Sequence, residues 1–153
     1  IGVNTCVDTS GSGVSTYYDA IFSEVDSVLL DVKHVDAKAH ERLVGKSMEG
    51  ILDFIEYMKG FKGQITIRHV MVPGETDNDD AMHQLLNIIK PIQKNVDKIE
   101  ILPYHRAGVE KYSQLQLPYL LTGVPEMDKD LAFEYEKKVN QWLQLEKNNK
   151  VAV

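Results

Sequence analysis

The sequence predicts an α/β domain of about four parallel strands joined by helical crossovers. Three observations lead there. Short β-branched apolar runs alternate with helix-period stretches, in the order βαβαβαβα. Val28-Leu29-Leu30-Asp31-Val32-Lys33 is apolar enough for a strand buried in a parallel sheet. Helix caps and glycine or proline stops punctuate most of the segments between. Four units are too few to close an eight-fold barrel. They fit half of a larger open barrel or an open doubly wound sheet.

In chain order, Gly2 to Asp8 reads as the first strand, with Asn4, Cys6 and Asp8 on one face. Thr9-Ser10-Gly11-Ser12-Gly13 is a turn, and Thr16 to about Val25 a helix with Tyr17, Ile21 and Phe22 inward. Val28–Lys33 follows as the second strand. Asp36 caps a helix over Ala37–Val44, stopped by Gly45. Ser47 caps the next, where Met48, Ile51, Leu52, Ile55 and Met58 form the apolar stripe. Gln64 to Val72 is the third strand, with Thr66, Arg68 and Val70 on one face and Ile65, Ile67, His69 and Met71 on the other. Pro73-Gly74 ends it, and Asp77 caps a helix burying Met82, Leu85, Leu86 and Ile89, disturbed at Pro91. Lys98 to Pro103 is the fourth strand. Tyr104 to Pro125 lacks a regular pattern and is long for a loop, hence a candidate docking surface. Asp128 opens a last helix with Leu131, Tyr135, Val139, Trp142 and Leu143 on one side, and Asn148–Val153 reads as a short edge strand or a frayed end.

The 153 residues suffice for one core, and 43% apolar with 26% charged residues is the balance of a soluble globular chain. A net charge of −6 without a basic stripe argues against nucleic acid and anionic membranes, and no apolar run is long enough to span a bilayer. One cysteine, Cys6, rules out an internal disulfide, suits a reducing cytoplasm, and cannot form a multi-cysteine metal site. The chain opens at Ile1 already in strand pattern, which points to a piece of a longer protein.

Polar residues collect at the carboxyl ends of the strands, where parallel α/β proteins bind ligands. These are Asp8-Thr9, Asp31 with Lys33, Arg68 with Val70, and Tyr104-His105. Asp31 and Lys33 share a strand face, roughly 6.5–7 Å apart. Their attraction is about 2.5 kcal/mol at an effective dielectric near 20. Desolvation costs several kcal/mol per ion, so a bound polar ligand, or a wet sheet rim, must account for them. Each residue has a plainer role. Asp8 suits a turn cap, Arg68 a salt bridge with Glu100 on the next strand, and His105 a hydrogen bond. Cys6 suits a small lining residue. Asp77, Asp79 and Asp80 fit a helix N-terminus better than a cation site, and Gly11-Ser12-Gly13 lacks the features of a phosphate loop.

Thr5-Cys6-Val7-Asp8-Thr9-Ser10-Gly11, Leu29-Leu30-Asp31-Val32-Lys33, Ile67 to Gly74 and Ile101-Leu102-Pro103-Tyr104-His105 resemble, in this order, the radical S-adenosylmethionine enzymes that activate glycyl radical enzymes. Leu43-Val44-Gly45 and Leu121-Thr122-Gly123-Val124 extend the likeness, which is nearest to the pyruvate formate-lyase-activating type. The resemblance implies a partial (β/α)6 barrel with helices on its outer face, of which residues 1–153 are the C-terminal portion. It implies S-adenosylmethionine and a four-iron, four-sulfur cluster as cofactors. The implied partners are a glycyl radical enzyme and an electron donor such as flavodoxin or ferredoxin. By the same resemblance Asp31 and Lys33 hold the ribose and carboxylate region of S-adenosylmethionine. Arg68, Val70 and His105 line the adenosyl pocket or the mouth for the glycine loop. Asp8, Thr9, Asp31 and the Leu29 carbonyl surround a monovalent cation. The CxxxCxxC cluster loop and the Gly-Gly-Glu stretch of that family are absent, so the chain alone is expected to be inactive and to leave Gly2–Asp8 as an uncovered edge. Two other readings stand beside it. One is a nucleotide- or protein-binding module without catalysis. The other is a metal-dependent (β/α) hydrolase using Asp8, Asp31, Lys33 and His105, which has few clustered ligands.

Overall fold

A computed structural model describes residues 2–151, and the side chains of residues 2–149. Four parallel strands form one sheet in the order β1-β2-β3-β4. They are β1 (Cys6–Thr9), β2 (Ser27–Asp31), β3 (Gln64–Met71) and β4 (Val96–Pro103). The helices are α1 (Tyr18–Phe22), α2 (Ala37–Val44), α3 (Glu49–Met58), α4 (Asp79–Ile89), α5 (Val109–Gln114) and α6 (Lys129–Val151). Short 3₁₀ turns precede α1 and follow α4.

Alternation along the strands sorts the sheet into two unlike faces. Val28, Leu30, Ile65, Ile67, Met71, Ile99 and Ile101 are buried on one, against Ile51, Phe54, Ile55 and Met58 of α3 and the apolar sides of α4 and α6. The period of two along β3 is complete, with every second residue from Ile65 to Met71 fully buried. The opposite face carries Cys6, Asp8, Leu29, Asp31, Thr66, Arg68, Val70, Lys98, Glu100 and Leu102, half-buried or exposed. At the amino end, Gly63 allows the chain to pass beside β2. A Cβ there would lie 2.1 Å from the Asp26 carbonyl oxygen, so no other residue fits.

Several boundaries differ from the sequence reading. β1 starts only at Cys6, because the Thr5 N–H donates to the Asp26 carboxylate at 2.8 Å; Ile1 lies outside the described residues. α1 is shorter and rotated by a residue, burying Tyr18 and Phe22 while Tyr17 and Ile21 face outward. The stripe of α3 runs through Phe54 and leaves Leu52 exposed, and Ser47 bonds Glu49 rather than capping. Asn78, not Asp77, caps α4 by accepting from the Ala81 N–H, while Asp77 accepts from Gly74 N–H. Leu131 of α6 is exposed, and the ring of buried positions is Ala132, Val139 and Leu143. Asn148 to Val151 continues α6, and residues 152 and 153 lie outside the described part. The caps at Asp36, with Gly45 in the left-handed region at φ 73°, match expectation. Among the described residues no helix is long and apolar enough to cross a membrane.

Candidate functional site

The carboxyl ends of β1 and β2, with the middle of β3 beside them, bring four charged side chains into one row on the open face. Register sets this up. Asp31 stands beside Arg68 across the β2–β3 ladder, and Asp8 beside Leu29 across β1–β2. Lys33 Nζ donates to Asp31 Oδ2 at 2.5 Å, Arg68 Nε to Asp31 Oδ1 at 2.8 Å, and an Arg68 terminal nitrogen to Asp8 Oδ1 at 2.5 Å. The row Lys33–Asp31–Arg68–Asp8 alternates in sign and sums to zero. Burial works against the Arg68 charge, and the bonds to Asp31 and Asp8 outweigh it, raising its pKa above the usual arginine range.

This corrects the charge bookkeeping made on Asp31 and Lys33 alone. Lys33 folds back onto Asp31 and stays about 40% exposed, so its ammonium remains hydrated. The second Asp31 oxygen is met by Arg68, so the chain itself compensates the carboxylate. Arg68 does not pair with Glu100, which instead takes Lys98 on its own strand.

The remaining expected residues fall around the row. Val70 follows Arg68 on the same face, half-buried. Thr9 points its hydroxyl into the turn, where Oγ1 accepts the Gly11 N–H at 3.0 Å. His105 is exposed just beyond β4, and its Nδ1 accepts from the Ala107 N–H. Among the described residues it makes no hydrogen bond to the row. Behind it, Tyr104 is buried and meets Tyr119 hydroxyl to hydroxyl at 2.5 Å, tying down the loop that contains α5.

The donor set suits some of the implied groups and not others. An ammonium, a guanidinium and two carboxylates on an open face fit a zwitterionic, hydroxyl-rich nucleotide. One cysteine cannot supply the thiolates of a four-iron cluster. Among the described residues no three His, Cys, Asp or Glu side chains are grouped to hold a metal ion. A monovalent cation between Asp8 and Asp31 competes with Arg68 for their oxygens.

Sequence reasoning found all four members of the row and weighed the Asp31–Lys33 pair, but missed that Arg68 bridges Asp31 and Asp8. It also passed over two buried histidines behind the row, His34 and His69. A histidine at a strand position otherwise occupied by Ile and Met was the signal for His69.

No family model matches the chain. It is 40% identical over 143 residues to the pyruvate formate-lyase-activating enzyme of Clostridium pasteurianum, covering 94% of this chain and 59% of that protein. The chain thus spans less than two thirds of the curated relative it matches. In structure it is similar to a domain of a pyruvate-formate lyase-activating enzyme from Bacteroides vulgatus, with a TM-score of 0.71 at 15% identity over 94% of this chain and 78% of that one. A radical SAM methyltransferase from Sphaerobacter thermophilus follows, with a TM-score of 0.61 at 12% identity, over 90% and 37%. At such identities the two structures establish the fold, a partial (β/α) barrel.

Proposed function

We propose that this chain, a homologue of the pyruvate formate-lyase-activating enzymes over nearly its whole length, is the C-terminal part of such an activase. Its open sheet face then binds S-adenosylmethionine. The observation that carries this reading is the row Lys33–Asp31–Arg68–Asp8 across three adjacent strands, on the face the helices leave free. Lys33 offers its ammonium to the amino-acid carboxylate, and Asp31 accepts from the ribose hydroxyls. Arg68, Val70 and His105 border the adenosyl group or the entrance for a glycine-bearing loop. Exposed pairs such as Lys33–Asp31 contribute little on their own, about 0–1 kcal/mol, so exchanging them for ligand contacts costs little. Asp8, Asp31, Thr9 and the Leu29 carbonyl take a monovalent cation when Arg68 turns to the ligand.

In the whole activase, cysteines that this chain does not supply would hold a four-iron, four-sulfur cluster; with one electron from flavodoxin or ferredoxin it would supply reductive cleavage of S-adenosylmethionine to methionine and a 5′-deoxyadenosyl radical, for removal of a hydrogen atom from a glycine of a pyruvate formate-lyase-type partner. With one cysteine the chain cannot ligate that cluster, so on its own it is expected to bind without cleaving.

Calorimetric titration with S-adenosylmethionine tests the reading. Weak binding that Lys33→Ala reduces at least about tenfold, the equivalent of one charged hydrogen bond, is the expected outcome. Undiminished affinity in that variant removes Lys33 from the carboxylate.

A further inference from the structure

Behind the charged row, on the helix-covered side of the sheet, lie two buried imidazoles. His69 in β3 is fully buried, with Nδ1 2.7 Å from the Val32 carbonyl oxygen. A carbonyl only accepts, so the proton sits on Nδ1 and Nε2 carries the lone pair. His34 is 4% exposed, and its Nδ1 accepts from the Asp36 N–H at 3.0 Å. A backbone N–H only donates, so here the proton sits on Nε2. That atom lies 3.7 Å from Glu75, whose other oxygen is held by Arg42 at 2.7 Å. Among the described residues neither Nε2 has a hydrogen-bond partner. The neighbours thus dictate opposite tautomers for the two rings.

We infer that His69 is a positioning residue for the S-adenosylmethionine site, holding the Val32 peptide from behind so that Asp31 and Lys33 project correctly in front. Val32 stands between those two residues. Its N–H donates to the Arg68 carbonyl at 2.9 Å, and its C=O accepts from the His69 ring. Regular β2 ends at Asp31, so the imidazole continues the cross-strand attachment beyond the ladder. The dipeptide Arg68-His69 therefore grips β2 twice, by Arg68 on Asp31 at the front and by His69 on Val32 at the back. A ligand that draws Arg68 and Asp31 into its own contacts weakens the front grip and leaves the rear one. Burial pushes the His69 pKa down to about 4, against the opposing bond to Val32, and a charge on His34 lowers it further. Burial also lowers His34, while Glu75 and Asp36 oppose and Arg42 adds to the effect. Both rings stay neutral near pH 7, and His69 stays a donor to Val32.

The inference rests on the proposed binding site, and the test separates the two. His69→Leu keeps an apolar filling but removes the donor; His69→Asn restores a donor at the Nδ1 position. His69→Leu should weaken S-adenosylmethionine binding about tenfold, the worth of one buried hydrogen bond, and speed amide exchange at Val32 to His34. His69→Asn should recover most of both. Equal losses in both variants, or none in His69→Leu, overturn the role. Long-range proton–nitrogen spectra of the unmodified chain decide it even where His69→Leu does not fold. An Nδ1–H tautomer at His69 supports the grip, and an Nε2–H tautomer refutes it. Absence of S-adenosylmethionine binding to the unmodified chain would overturn the ligand site and this role toward it, whereas binding that His69→Leu leaves intact would overturn the role alone.

Discussion

The two edges of the sheet are treated in opposite ways. On the β4 side, α6 lies along the strand and its side chains take the places of a further strand. Asn140 accepts from the Ile99 N–H at 2.9 Å and donates to the Ile99 carbonyl at 2.7 Å. Glu136 accepts from the Ile101 N–H at 2.9 Å, and Lys147 donates to the Val96 carbonyl at 2.5 Å. On the β1 side a four-residue strand shows exposed Cys6 and Asp8, and no described strand lies beyond it. An unpaired edge templates further pairing, and proteins usually blunt it. One edge here is finished by the chain's own helix; the other is left for pairing. The proposed activase reading puts the earlier barrel strands at the unfinished edge.

The largest expected effect is at the finished edge. Asn140→Leu leaves the Ile99 N–H and carbonyl without partners next to the core, at about 1–3 kcal/mol each. A loss of about 3 kcal/mol in urea-induced unfolding is expected, with self-association through β4 rising. A loss under about 1 kcal/mol would mean that water replaces Asn140, and the edges would not differ as described.

Acid should reveal the next difference, at the β2–β3 seam nearer the open edge. His69 is neutral in the fold down to about pH 4 but titrates near 6.5 when unfolded. Its folded pKa is depressed, so the unfolded chain binds more protons below 6.5 and stability falls with pH through the 6.5 to 4 window. Between pH 7 and pH 5 this group costs about 2 kcal/mol. His34, also lowered, adds in the same direction. Amide exchange should quicken in β1 and β2 before β4 and α6, and His69→Leu should flatten the stability profile over that window.

The faces of the strands were legible in the sequence because a period of two survives any tertiary detail, as Ile65 to Met71 illustrates. The row of charges was legible as composition at strand ends. The Arg68 bridge within it was not, because the Asp31–Arg68 contact depends on cross-strand register 37 residues apart. Helix faces failed where two candidates stood side by side. Tyr17 and Tyr18 have similar apolar content, and tertiary packing of Tyr18 on Phe54 and Phe22 decided between them. Edge closure by α6 was hidden for a different reason. Glu136, Asn140 and Lys147 look like an ordinary wet helix side until β4 is beside them. The His69 bond is of the same kind, since nothing local to His69 points to Val32.

The smallest global effect is expected at the unfinished edge, and it sharpens the contrast most. Thr5 and Asp26 form an exposed knot where β1 begins. Thr5 N–H donates to Asp26 at 2.8 Å, and the single hydroxyl proton of Thr5 is shared between the Glu24 carbonyl at 2.8 Å and the Asp26 carboxylate at 3.1 Å. Thr5→Val keeps the shape and removes the hydroxyl. Because the knot is open to water, the loss in unfolding free energy should be only about 0.5–1 kcal/mol. Amide exchange over Cys6 to Thr9 should quicken by the same free energy, about two- to five-fold, from an already fast rate, since a four-residue edge strand opens locally without unfolding the sheet. If exchange in β1 instead tracks global unfolding as closely as β4 does, the open edge is as firmly closed as the capped one. The distinction between them would then fall.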